Sequence, residues 1–145
     1  MMFIDASAIV AILKPEADAD ELLDRLEKSD GPFFVSPLVR YEATVSLARA
    51  RAQQTKKPTA PTPEMLEIAR EAVDLFVQDI EAREIDISSE IGKRALDVAT
   101  IYGKAIGHPA DLNFGDCFAY ACAKAYRLKL LYKGDDFAKT GLALI

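Results

Sequence analysis

Residues 112–137, LNFGDCFAYACAKAYRLKLLYKGDDF, hold an acid, a long apolar segment, a short apolar segment and a pair of acids in close succession. Asp116 stands at the head of a run of alanines, aromatics and cysteines broken by one lysine. Ala119, Ala121, Ala123 and Ala125 alternate with larger residues at the period of a strand. Alanine's helix propensity and a length of about a dozen residues up to Arg127 favour a helix instead. Small residues all round that helix imply close approach to its neighbours, with no second face for solvent. LKLLY then reads as a strand, and KGDDF as the turn just past its C-terminal end.

The same alternation extends back along the chain. MFIDAS opens it as a short buried strand ending in Asp5, followed by a short helix in ASAIVAIL. EADADELLDRLEKS is helical, with Leu22, Leu23 and Leu26 as its core-facing stripe. PFFVS is a second strand, and Ser36-Pro37 then supplies a side-chain cap and a proline where no N–H is needed, starting a helix through LVRYEATVSLARARAQ. The polar, proline-rich QTKKPTAPT is an exposed helix–helix connection. Thr62-Pro63 restarts the chain as an amphipathic helix from about Glu64 to Ala82 that uses Leu66, Ala69, Val73, Phe76, Val77 and Ile80. REIDIS is a third short strand; Ser88 or Ser89 caps a helix packed through Ile91, Ala95, Leu96, Ala99 and Tyr102. LALI is a candidate fifth strand. Strands alternating with helices predict an α/β fold: a mostly parallel sheet of four to five strands with helices on both faces, in one domain over residues 1–145.

Composition narrows the function. Half of the 145 residues are apolar, as in a globular domain, and no apolar run approaches the roughly 20 residues of a membrane span. MMFIDASAIVAIL lacks a basic start and carries an Asp, so we expect no membrane association and a cytoplasmic location. Cys117 and Cys122 lie about 140 degrees apart on a helix and read as buried thiols. A net charge of -5 argues against a general nucleic-acid coat, though not against an enzyme that meets nucleic acid at one local site.

In open α/β sheets ligands bind beyond the carboxyl ends of the strands. Asp5 ends the first strand, Asp135 and Asp136 follow LKLLY, and Asp116 opens its helix after the loop GHPADLNFG. Glu42 has Leu38, Val39, Val45 and Ser46 three and four residues away, an apolar setting for a charge. It is either a cleft-facing carboxylate or a rim glutamate paired with Arg49. Carboxylates crowded together repel one another and raise their own pKa values, and a divalent cation relieves this. Mg²⁺ or Mn²⁺ suits an all-oxygen donor set, whereas one histidine and no usable cysteine pair disfavour zinc. The chemistry implied is metal-assisted attack of water on a phosphodiester. Each acid also has a structural reading: Asp5 as a helix cap, Asp116 as a first-turn acid, and one of Asp135 and Asp136 as a turn residue beside Gly134. Their joint placement at one end of the sheet favours the site.

At these residues the chain resembles the PIN-domain ribonucleases, in particular the VapC-type toxins of toxin–antitoxin pairs. FIDASAIVAIL is similar to the family's first strand with its first metal-binding aspartate, Asp5, and a supporting hydroxyl residue, Ser7. SPLVRYEATVSLARA resembles the helix carrying the next acid, Glu42; LNFGDCFAYACAKAYRLKLLYKGDDF carries the third, Asp116, and the fourth, Asp136, with Asp135 as its substitute. QQTKKPTAPT is longer than the usual connection. The resemblance implies a Mg²⁺- or Mn²⁺-dependent endoribonuclease acting on RNA, often a homodimer, inhibited by a cognate VapB-type antitoxin whose tail enters the active-site groove. Arg40, Arg49, Lys93, Lys104, His108 and Lys133 are candidates to border that groove, although the ordinary reading of any one of them is a solvated surface charge. His108, beside Pro109, reads as a structural loop residue. The alternative is a catalytically inactive PIN-like module that binds RNA or protein, which predicts missing acids; all are present. A haloacid-dehalogenase-type phosphatase needs Asp-x-Asp at the first strand, and Ser7 stands where its second Asp would be.

Overall fold

Strand β1 (Met2–Ile4) is the most deeply buried part of the sheet, and its parallel neighbours on both sides explain why every one of its residues is apolar. The computed structural model describes residues 1–57, 59–134 and 136–141. Within these, β1, β2 (Phe33–Val35), β3 (Arg83–Glu84) and β4 (Lys129–Leu131) form one parallel sheet in the order β3-β2-β1-β4. The candidate strand LALI, residues 142–145, lies outside the described residues, as does Asp135.

The chain leaves β1 through helices α1 (Ala6–Leu13) and α2 (Ala19–Lys28) to reach β2, then through α3 (Pro37–Gln53) and α4 (Pro63–Asp79) to reach β3. It returns by α5 (Ser89–Tyr102) and α6 (Phe114–Ala125) to β4, on the other side of β1. Right-handed crossovers running in opposite directions along a sheet place their helices on opposite faces. Helix α6 is the most buried helix: Gly115, Cys117 and the whole of Ala119–Ala123 are interior, between α5 on one side and β1 and β4 on the other.

Helix starts follow the sequence closely. Ser36, Thr62 and Ser88 each accept the N–H three residues ahead, from Val39, Met65 and Ile91. Helix ends do not. Expected to run to Ala82 and Arg127, α4 and α6 stop at Asp79 and Ala125 because Glu81 and Arg127 take φ of 52° and 53°. In each case the next N–H reaches back five residues, Ala82 to Val77 and Leu128 to Ala123, which closes the helix without a glycine. Three stripe assignments also change. Leu96 is 69% exposed, because the interior face of α5 runs Ile91, Ala95, Val98 and leaves the position after Ala95 outside. Leu23 and Leu66 are likewise exposed.

Leu47 on α3 is fully buried, so Leu47→Ala should lower unfolding free energy by about 2–5 kcal/mol, whereas Leu96→Ala should change it by no more than about 0.5 kcal/mol. Urea titrations of the two variants check the contrast; equal midpoint shifts would contradict the packing described.

Candidate active site

Because the connection from β1 to β2 and the crossover from β3 to β4 run in opposite directions along the sheet, the crevice beyond the C-terminal end of β1 is the topological switch point. Asp5 stands there. Its backbone N–H continues the ladder by donating to the Leu131 carbonyl at 2.9 Å, and its side chain caps α1. Asp5 Oδ2 accepts the Ser7 N–H at 3.1 Å and the Ser7 hydroxyl at 2.6 Å. Ser7 Oγ in turn accepts the Lys133 N–H at 3.0 Å, which ties the head of α1 to the turn after β4. Asp5 Oδ1 is buried with no hydrogen-bond partner among the described residues.

Asp116 is held by the start of α6. Its N–H donates to Asn113 Oδ1 at 2.9 Å and its Oδ2 accepts the Asn113 N–H at 3.0 Å, a reciprocal capping box that fixes the carboxylate against the backbone. Glu42 projects from the second turn of α3, half-buried, and its carboxylate lies on α6 at Gly115, so closely that a Cβ on that glycine would overlap Oε2. Of the two orientations open to Glu42, the structure takes the inward one; Arg49 is exposed and forms no ion pair with it among the described residues. Asp136 is exposed at the head of a short 3₁₀ turn, Phe137–Lys139.

The charges of these groups reach one another. Burial first, then the charges of Asp5 and Asp116, push Glu42 up to about 7. Burial lifts Asp116 to about 6 against the pull of its Asn113 hydrogen bond, with Asp5, Asp136 and Asp111 adding to the rise. Burial also raises Asp5, opposed by its two hydrogen bonds from Ser7. Asp5 and Asp116 thus each serve a helix start, as N-cap and as first-turn acid, and the charge of each acts on Glu42.

Among the described residues, no three His, Cys, Asp or Glu side chains close around a point tightly enough to hold an ion by themselves. A hard cation that keeps several waters needs only one or two carboxylates, and the donors here are oxygens throughout. The orphaned Asp5 Oδ1 is a buried acceptor with no partner among the described residues, and an oxygen of that kind fits such a cation.

The candidate basic border is thinner than expected. Arg40 is engaged with Asp74 at 2.7 Å and Glu84 at 3.5 Å, and Lys133 pairs with Glu16 and Asp18, so both are taken up by structural ion pairs. Lys93 and Lys104 are exposed. His108 is a loop residue: its Nδ1 accepts the Ala110 N–H at 2.9 Å and its ring stands edge-on to Tyr102. Sequence reasoning overlooked Gly115. A glycine inside the first turn of an otherwise alanine-rich helix, next to a candidate acid, was its only signal.

A PIN-domain model matches residues 2–142. A VapC ribonuclease of Rhizobium meliloti is 51% identical over 142 residues, covering 98% of this chain and 99% of that protein. Ribonuclease VapC28 of Mycobacterium tuberculosis is 33% identical over 141 residues, covering 97% and 95%. In structure, the crystal form of Mycobacterium tuberculosis VapC20, a sarcin-ricin loop cleaving toxin, aligns over 100% of this chain and 98% of its own with a TM-score of 0.70 at 17% identity. A toxin–antitoxin complex from Klebsiella pneumoniae aligns over 97% and 93% with a TM-score of 0.63 at 18% identity. The parallel α/β fold matches that of these solved structures, and the chain belongs to the PIN-domain family. Its relatives place it among the VapC ribonucleases.

The raised carboxylates set a pH dependence. A group whose folded pKa is raised supports folding below its unfolded value and loses that support as pH climbs through the folded one, here from 4.5 to about 7 for Glu42 and from 3.8 to about 6 for Asp116. With chelator present, Glu42→Gln should therefore melt at a higher temperature than the parent at about pH 8 and show less advantage at about pH 5. A variant that melts lower than the parent at the higher pH would contradict this electrostatic assignment.

Proposed function

We propose that the protein is a Mg²⁺- or Mn²⁺-dependent endoribonuclease, the toxin of a toxin–antitoxin pair acting in the cytoplasm. The observation that carries this reading is the buried carboxylate group at the end of β1, with one oxygen of Asp5 left without a partner while the charges of Asp5, Glu42 and Asp116 oppose one another. Asp5, Glu42, Asp116 and Asp136 are the residues that would hold the ion. Bound there, a divalent cation would neutralise phosphate charge and lower the pKa of an attacking water.

The chain's own groups prepare that chemistry. Ser7 engages Asp5 Oδ2 and leaves Oδ1 as the available donor. The Asn113 box holds Asp116 in one rotamer, so its carboxylate does not have to be ordered when substrate arrives. Water adds across a backbone P–O bond of RNA, and the bond to the leaving nucleoside oxygen breaks. The relatives are named as ribonucleases, which supports RNA as the substrate.

For partners, the reading includes a VapB-type antitoxin and a second copy of the chain. Structural neighbours include a toxin–antitoxin complex from Klebsiella pneumoniae and VapBC2 of Rickettsia felis bound to promoter DNA. An apolar groove of about 700 Å³ between α5 and α6, bordered by Leu96, Phe114 and Phe118, supports the presence of a protein partner on that side.

Purified protein should cleave RNA with Mg²⁺ or Mn²⁺ and stop with chelator. Asp116→Asn keeps an acceptor for the Asn113 N–H while removing the charge, so it should retain the fold and lose at least ~100-fold in cleavage rate, since even residues behind a ligand contribute that much. Full activity in that variant, or in chelator, would refute the reading. Expression without the antitoxin should slow growth of the host; indifferent growth beside robust cleavage in vitro would remove the toxin role and leave the nuclease.

A further inference from the structure

Gly115 occupies the second position of α6, where a helix would ordinarily gain from alanine, and its φ is not one that demands glycine. Neither turn geometry nor capping accounts for it. A Cβ built there would overlap Glu42 Oε2 and lie 2.5 Å from Cδ and 2.8 Å from Oε1. The three nearest atoms all belong to one carboxylate from a different helix, 73 positions back in the sequence from residue 115 to residue 42.

From this we infer that Gly115 is a positioning residue: the missing side chain is the slot that lets the Glu42 carboxylate reach the first turn of α6 beside Asp116. The atoms in the way of a methyl group are the far end of a flexible side chain, so a substitution would displace the carboxylate and leave the backbone of α6 in place. The consequence for cation binding rests on the nuclease reading above; the consequence for the position of Glu42 does not.

The test combines Gly115→Ala, Glu42→Asp and the double variant, with Mn²⁺ affinity measured by calorimetry and thermal melting alongside. Gly115→Ala should bind Mn²⁺ at least ~10-fold more weakly without melting lower, as loss of an orienting contact does at metal sites. Glu42→Asp draws the carboxylate back by one methylene, so adding it to Gly115→Ala should cost no further affinity, and the two changes should be non-additive. Parent-like affinity in Gly115→Ala, or simple additivity, would overturn the inference. Should Gly115→Ala lose cooperative melting, recovery of melting in the double variant supports the slot and failure to recover overturns it. If the parent protein binds no Mn²⁺, the nuclease reading fails separately, and a crystal structure of metal-free Gly115→Ala decides the inference: a Glu42 carboxylate moved off α6 supports it, an unmoved one overturns it.

Discussion

Like charges gathered in a partly desolvated crevice oppose folding, and the structure keeps three of them together at the C-terminal end of β1 by holding each carboxylate against the first turn of a helix, α1 for one and α6 for two. Asp5 is anchored by the first turn of α1, Asp116 by the first turn of α6, and Glu42 by its packing on Gly115. Each anchor offsets part of the repulsion with a local hydrogen bond or a close fit. Burial, with the remaining repulsion added to it, displaces the proton affinities upward, to about 7 at Glu42 and about 6 at Asp116. The divalent cation proposed for the crevice would answer those charges together.

The capping interactions show how one residue can hold a helix start and still present an oxygen to the crevice. A carboxylate has two oxygens, and at Asp5 the capping and hydroxyl bonds converge on Oδ2, leaving Oδ1 buried and unbonded. At Asp116 the box with Asn113 uses Oδ2. Backbone hydrogen bonds at helix starts are short-range and geometrically strict, so they hold a side chain more firmly than a solvated surface contact could. The Ser7 link to Lys133 extends the same principle across the sheet, joining the β1 crevice to the turn that presents Asp136.

Much of this was legible from residue order. Strand-end acids, helix caps at Ser36, Thr62 and Ser88, and the burial of the alanine-rich α6 are local or periodic features, and they appear as expected. What was illegible shares a different cause. Glu81 and Arg127 end their helices in a left-handed conformation usually signalled by glycine, so the boundaries came out two or three residues long. Leu96, Leu23 and Leu66 fit an apolar stripe, yet the neighbouring helices do not cover them. Arg40 and Lys133 looked available for a polyanion, and distant acids at 74, 84, 16 and 18 claim them.

Apolar periodicity and helix capping act over a few residues, so residue order is enough to specify the mostly parallel α/β frame, the acids at its strand ends and the caps that start its helices. The inward turn of Glu42, the Asp5 oxygen without a partner and the fit of Glu42 against Gly115 emerge only in the folded chain. Those outcomes depend on how α3 and α6 approach each other beside β1, a matter of packing between segments far apart in the chain, which no local pattern encodes.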